Sequence, residues 1–318
     1  MKILVCDPIS PRGIEILKKI PNAQVDEKPG LTEAELKKLV PEYDALLVRS
    51  GVKITEAVIK EAKKLKVVAR AGTGYDNIDV EAATVRGVLV TNTPGENSIA
   101  AAELAVGLLL SLARHIPAAH ASLRAGKWER KKFVGTELAG KVLGIVGLGR
   151  VGREVARRVK GLGMNAIAFD PFVLEPVLSE AGVVPVPWED LLRRSDFISL
   201  HADLNPSTRH MVDQAAFSKM KKGVRIVNCA RGGLIDEQAL LEALESGRVS
   251  GAALDVFETE PPPKDLPLLK HPNVIVSPHL GASTLEAQDR VGVAAAEQIR
   301  AFLTEGRVIH PVNEPIKR

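Results

Sequence analysis

The chain has little cysteine. Cys6 and Cys229 are the only two in 318 residues, so no disulfide framework can form. No Cys/His spacing resembles a metal site either, and a reducing, cytoplasmic setting with no metal is the expectation. Long apolar runs are also lacking. The most apolar stretch, Ile99 to Ala113, is broken by Glu103 and closed by Arg114. That is short of the roughly 20 residues a membrane span needs, so a buried or interface helix is expected there. Aromatic residues make up only 3%, and no basic run is interleaved with them, which argues against nucleic acid as a partner. The net charge of +4 is mild and compatible with attraction of small anions. The N-terminus, MKILVCDPIS, has one lysine and a short apolar run before Asp7 and Pro8, and reads as a first strand rather than a signal peptide. No internal repeat or low-complexity tract is visible, and nothing points to a membrane.

What is present is alternation. KILVC, ALLVR, KVVARA and GVLVTN are short, β-branched and apolar, each followed by an amphipathic stretch. A second series, KVLGIVG, NAIAFD, FISLHA, VRIVNCA, GAALDVF and NVIVSPH, follows an alanine- and leucine-rich helix that starts near Asn97. Such alternation predicts α/β architecture with two doubly wound parallel sheets covered by helices on both faces. Thr32 to Glu35 reads as a capping box, as does Ser283 to Glu286 before a C-terminal helix running to about Thr304. The tail VIHPVNEP has no partner of its own in the second series and is expected to return to the first domain. The expected division is residues 1–95 with 285–318 for one domain and 96–284 for an inserted one.

After strand KVLGIV comes Gly147-Leu148-Gly149-Arg150-Val151-Gly152, then a helix. A lone GxGxxG is weak evidence, but here it lies between a buried strand and a helix, where a dinucleotide needs it. Gly147 allows the tight turn, Gly149 lets a pyrophosphate approach, and Gly152 lets helix and strand pack closely. The helix N-terminus offers free N–H groups and a positive dipole end. The next strand ends at Asp170, whose carboxylate suits both ribose hydroxyls and repels a 2′-phosphate, so NAD is expected rather than NADP. The upstream GTELAGK has the glycine and lysine spacing of a phosphate-binding loop. Val142 stands where its Ser or Thr belongs, and it precedes a strand instead of following one, so it is rejected.

Three polar groups fall at strand ends of the second series: Arg231 after VRIVNCA, Glu260 after GAALDVF and His279 after NVIVSP. Oxidising a secondary alcohol with NAD needs a base for the hydroxyl proton, and an imidazole titrates in the right range. A carboxylate beside it stabilises the imidazolium. A guanidinium can clamp a substrate carboxylate by two parallel hydrogen bonds. A 2-hydroxy or 2-keto acid is therefore the expected substrate class. His115, His120, His201, His210, His271 and His310 show no such setting and are taken as structural or surface groups.

NCARGGLIDE, ALDVFETEPPP, SPHLGAS and GIVGLGRVGRE together resemble the D-isomer-specific 2-hydroxyacid dehydrogenases. RAGTGYDNID, the stretch VTNTPGENSIAAAELAVGLLLSLAR and GKWERKKFVGTEL resemble the branch of that family acting on 3-phosphoglycerate, and the likeness covers essentially the whole chain. It implies NAD-dependent oxidation of 3-phosphoglycerate to 3-phosphohydroxypyruvate, the entry step to serine, with Arg231, Glu260 and His279 catalytic. It further implies a flavodoxin-like substrate domain holding an inserted Rossmann domain, and a homodimer or tetramer built on the helix from Asn97. Implied cofactor contacts are Thr73, Arg150, Val151, Asp170, Cys229, Ala230, Arg231, Asp255, His279, Gly281 and Ala282. A phosphate site is implied at Arg49, Arg70 and Gly72, and at Arg130 and Lys131, which in relatives reach across from the other subunit. Two departures stand out. Ala202 and Asp203 occupy positions where relatives commonly carry Thr-Pro, which leaves Ala202 a backbone contact only. Nothing resembling a serine-binding regulatory domain follows, so feedback by serine through such a domain is not expected. Two alternatives remain: a reductase of unphosphorylated glyoxylate or hydroxypyruvate, and a corepressor-type protein that uses the fold and NAD to bind peptides.

Overall fold

Strands covered by helices on both faces bury both sets of alternating side chains, so their sequences are nearly continuous apolar runs. In the computed structural model, which describes residues 1–173 and 181–316, these runs pair into two all-parallel sheets. The chain divides into two units, Met1–Asn97 with Ala282–Arg318, and Ser98–Gly281 inserted between them.

The first unit runs β1 (Lys2–Val5), α1 (Pro11–Lys18), β2 (Gln24–Glu27), α2 (Glu33–Leu39), β3 (Ala45–Val48), α3 (Glu56–Glu61), β4 (Val67–Arg70), α4 (Val80–Arg86) and β5 (Leu89–Thr91). The strand order is β2-β1-β3-β4-β5. Leu4, Leu46 and Val48 belong to the core on one face, and Ile3, Val5, Ala45 and Leu47 to the core on the other. The expected capping box opens α2: Thr32 Oγ1 accepts from Glu35 N at 3.3 Å and Glu35 Oε2 from Thr32 N at 2.9 Å. The C-terminal helix, Leu285–Glu305, packs against α1. Its cap differs from the expected box. Thr284, not Ser283, is the N-cap, because Thr284 is still extended and its hydroxyl accepts from Ala287 N at 3.1 Å. The tail joins the free edge of β5: Val312 N donates to Val90 O at 2.8 Å, and Asn313 Oδ1 accepts from Val90 N at 2.8 Å.

The second unit runs α5 (Ser98–Arg114), α6 (Ile116–Arg124), β6 (Val142–Val146), α7 (Arg150–Gly161), β7 (Asn165–Phe169), β8 (Val184–Pro185), α8 (Trp188–Arg194), β9 (Phe197–Leu200), α9 (Gln214–Lys219), β10 (Val224–Asn228), α10 (Glu237–Glu245), β11 (Val249–Leu254) and β12 (Val274–Val276). The order β12-β11-β10-β9-β6-β7-β8 reverses direction between β6 and β9. That reversal is the topological switch point, beyond whose strand ends ligands bind in open parallel sheets. β2 and β8, which apolar runs did not predict, are edge strands with few or no buried residues. Among the described residues no single helix is long and apolar enough to cross a membrane.

Candidate active site

The glycine-rich turn lies at the switch point. Gly147 has φ of 85°, and a Cβ there would sit 2.7 Å from Ala202 N and 2.8 Å from His201 O. No side chain fits, because the exits of β6 and β9 touch through backbone. A Cβ on Gly152 would meet Gly147 O at 2.2 Å, so helix α7 can approach its own turn only with glycine. At Gly149 nothing lies within 4 Å of that position, and this N-cap makes no side-chain hydrogen bond to α7. A 12-residue helix thus presents its N-terminal N–H groups without a side-chain cap at a place where backbone can be approached, which fits a pyrophosphate. Arg150 and Val151 form its first turn.

Asp170, expected to receive ribose hydroxyls, also holds the turn. Its Oδ2 accepts from Leu148 N at 2.7 Å and its Oδ1 from Phe172 N at 2.9 Å. Each carboxylate oxygen can accept a second hydrogen bond, so the ribose role and this one are compatible. His201 lies at the same strand exit, with Nε2 2.8 Å from Ser199 Oγ. Burial pushes its pKa down to about 4, which keeps it neutral.

The three strand-end groups are tied together locally. Buried Asn228 closes the turn after β10: Oδ1 accepts from Ala230 N at 3.0 Å and Nδ2 donates to Arg231 O at 2.9 Å. Arg231 Nη1 donates to Ala230 O at 2.7 Å. Gly232 presses on the β11 exit so closely that a Cβ would lie 1.9 Å from the Phe257 carbonyl carbon. Glu260 Oε1 accepts from Phe257 N at 3.1 Å, and its Oε2 lies 2.7 Å from His279 Nδ1. His279 has φ of 54°, in the left-handed region that non-glycine residues uncommonly adopt. The group that holds this loop is Asp255, 0% exposed. Its Oδ1 accepts from Ser277 Oγ at 2.6 Å and Leu280 N at 2.8 Å, its Oδ2 from Gly281 N at 2.9 Å, and its carbonyl from His279 N at 2.8 Å. Asp255, named from resemblance as a cofactor contact, is here the anchor of the histidine loop.

The electrostatics follow from these contacts. The hydrogen bond to Glu260 raises the His279 pKa above 6.5, outweighing burial, with the charges of Glu260 and Asp255 adding and Arg231 opposing. Burial pushes the Glu260 carboxyl up, but the hydrogen bond and charge of His279, the N–H of Phe257 and the charge of Arg231 bring it below its ordinary value. With Nδ1 facing the carboxylate, the Nε2 edge of the ring is left for proton transfer. Burial raises the Cys229 thiol, so that neutral side chain lines the turn as a small apolar group.

In the first unit, Arg49 and Arg70 follow or end the paired strands β3 and β4. Arg70 lies over Gly72, φ 147°, where a Cβ would fall 1.4 Å from its Nη1. Arg49 N donates to Asp7 Oδ2 at 2.6 Å, and Thr73 Oγ1 donates to Asn97 Oδ1 at 2.8 Å. Arg130 and Lys131 sit in the turn Arg130–Phe133, both exposed. Sequence reasoning missed the anchoring by Asn228 and the approach of His210 Nε2 to within 3.1 Å of Glu258 Oε1. The asparagine just before the arginine turn was a usable signal, since such side chains close turns.

Residues 106–281 match the D-isomer specific 2-hydroxyacid dehydrogenase, NAD binding domain. The chain is 51% identical over 316 residues to a D-3-phosphoglycerate dehydrogenase of Methanocaldococcus jannaschii, covering 99% of this chain and 60% of that protein. It is 54% identical over 297 residues to one of Sus scrofa, covering 93% of this chain and 55% of that protein. The chain thus spans little more than half the length of these relatives. Among solved structures, a glyoxylate reductase from Paecilomyes thermophila superposes with a TM-score of 0.89 at 35% identity, covering 98% of each chain.

Proposed function

Because the chain belongs to the D-isomer-specific 2-hydroxyacid dehydrogenases, we propose that it uses NAD to oxidise D-3-phosphoglycerate to 3-phosphohydroxypyruvate. The observation that carries the chemistry is the 2.7 Å contact of Glu260 with His279 Nδ1, at strand ends neighbouring the arginine turn. The relatives named above support the substrate.

NAD, when bound, supplies the hydride acceptor. Gly149, Arg150 and Val151 would hold its pyrophosphate and Asp170 its ribose, with Thr73, Ala202, Ala230, Gly281 and Ala282 as further contacts. The chain's own residues do the rest. Arg231 binds the substrate carboxylate by two parallel hydrogen bonds and, in the reduction direction, polarises the neighbouring carbonyl. His279 takes the hydroxyl proton at Nε2 during oxidation and returns it during reduction. Glu260 holds the Nδ1 proton and stabilises the imidazolium. We assign the phosphate to Arg49 and Arg70, with Gly72 leaving room for the Arg70 guanidinium, and to Arg130 and Lys131 of a second copy. The homodimer was expected on the helix from Asn97, but α5 already buries Ala102, Leu108, Leu109 and Leu112 in the core of its own unit. Better support comes from α6, which has no buried residue and exposes Ile116 and Leu123, and from Trp128 and Val134 exposed beyond it. A cytoplasmic setting suits two free cysteines.

The test is NADH consumption with 3-phosphohydroxypyruvate, hydroxypyruvate and glyoxylate at equal concentration. A preference of about a hundredfold for the phosphorylated acid, about 3 kcal/mol of transition-state binding, is expected. Comparable rates would make the chain a general 2-keto acid reductase. NAD binding without turnover on any would favour the peptide-binding alternative.

A further inference from the structure

Two carboxylates in the strand-end motifs, Glu237 and Glu258, take no part in the chemistry above. They meet across 21 residues of sequence by a reciprocal exchange. Glu258 N donates to Glu237 Oε1 at 2.8 Å, and Glu237 N donates to Glu258 Oε1 at 3.3 Å. Glu237 is the first residue of α10, so the Glu258 carboxylate supplements the cap at Asp236, which accepts from Gln238 N and Ala239 N at 3.0 Å. Two like charges held this close oppose one another. Burial, joined by the charges of Glu258 and Asp236, raises the Glu237 carboxyl despite the N–H of Glu258 and the charge of His210. On the Glu258 side, His210 Nε2 lies 3.1 Å from Oε1 and Arg209 Nη2 lies 4.0 Å from Oε2. His210 N in turn donates to Gly233 O at 2.8 Å.

The exchange therefore joins three segments: the loop at Arg209 and His210, the turn that follows Arg231, and the loop leading from β11 to Glu260. The two strand-end segments are already in backbone contact where Gly232 meets Phe257. From there the contacts run directly to the imidazole, through Phe257 N to Glu260 Oε1 and from Glu260 Oε2 to His279 Nδ1.

We propose that Glu237 and Glu258 are positioning residues, a latch that fixes the Glu260 loop against the arginine turn and so holds the Glu260 carboxylate on His279. The catalytic consequence rests on the acid–base reading of Glu260 and His279; the geometric consequence does not. The experiment is an NMR titration of the histidine ring protons in the full chain, with the His279 signal assigned by its loss in His279→Gln. Glu260, by its hydrogen bond and its charge, and Asp255 raise that midpoint, while burial and the charge of Arg231 lower it. In Glu237→Ala, and separately in Glu258→Ala, the His279 midpoint is expected to fall toward the ordinary 6.5, because the Glu260 contact loosens. The kcat for oxidation should fall about tenfold with KM little changed, as misplacement of a reacting group costs rate rather than binding. Glu237→Gln keeps an acceptor oxygen for Glu258 N and should retain both values. An unchanged His279 midpoint in whichever alanine variant folds would overturn the latch, as would a glutamine variant impaired as much as the alanine one. A midpoint that moves in a protein that turns over none of the three keto acids would uphold the latch and sink the proposed function.

Discussion

The two units use the same device at their strand ends and put it to different ends. In the first, buried Asp7, just beyond β1, accepts from Arg49 N at 2.6 Å and Gly51 N at 3.1 Å, closing the exit of the neighbouring β3. In the second, buried Asp255, just beyond β11, accepts from Ser277, Leu280 and Gly281, closing the exit of the neighbouring β12. Both oxygens of each acid accept from hydrogen-bond donors, which is what allows a carboxylate to be buried. What separates the units is what stands beside the staple. Among the described residues only the second adds a less buried carboxylate, Glu260, whose side chain is 36% exposed and bonded to an imidazole that is 49% exposed. The lesson is that the buried acid, bonded to fixed backbone and hydroxyl donors, builds the loop, and the partly exposed one is placed to polarise an imidazole.

That contrast can be broken most forcefully at the imidazole. His279→Gln should lower kcat/KM for 3-phosphohydroxypyruvate about a thousandfold, the range for loss of a general acid, without changing the melting temperature. A comparable loss from Asp7→Ala would show that the first unit's staple is catalytic too. The next effect is on stability. Replacing either Asp7 or Asp255 by Ala leaves at least two donors without their acceptor and should cost about 2–3 kcal/mol in urea unfolding. The Asp255 variant alone should also lose turnover. Smaller again is Arg70→Ala, where a rise of about tenfold in KM for the phosphorylated acid with kcat nearly unchanged would mark uniform binding. The finest distinction is in pH. Glu260 raises the His279 pKa, so reduction, which needs the imidazolium, persists to higher pH than an ordinary imidazole allows and is lost as pH rises through the folded value. Glu260→Gln should pull that limb to lower pH and extend oxidation, which needs the neutral ring, toward acid. An unmoved limb would contradict the role of the contact.

Sequence reasoning read the buried strands because burial on both faces leaves an unmistakable apolar run, as in KVLGIV and VRIVN. It could not read β2 or β8, whose edge positions leave them partly or wholly exposed. The helix opening at Leu285 was displaced by one residue because Ser283 and Thr284 are both competent caps, and only backbone conformation decides between them. In the site, residue types and strand-end positions pointed to Arg231, Glu260 and His279, since their chemistry is distinctive. Asp255 and Asp170 as loop anchors, and the exchange between Glu237 and Glu258, were not legible. They rest on hydrogen bonds between a side chain and a distant backbone, and such bonds leave no pattern in spacing.

The most direct test of where the chemistry lies is Arg231→Ala, followed by NADH titration and turnover of 3-phosphohydroxypyruvate on the same preparation. The arrangement predicts NADH affinity within about threefold of the parent protein and a loss of nearly all turnover, because the guanidinium is assigned to the substrate carboxylate. Loss of NADH binding as large as the loss of turnover would contradict it and make holding the cofactor, not the substrate carboxylate, the main task of the Arg231 guanidinium.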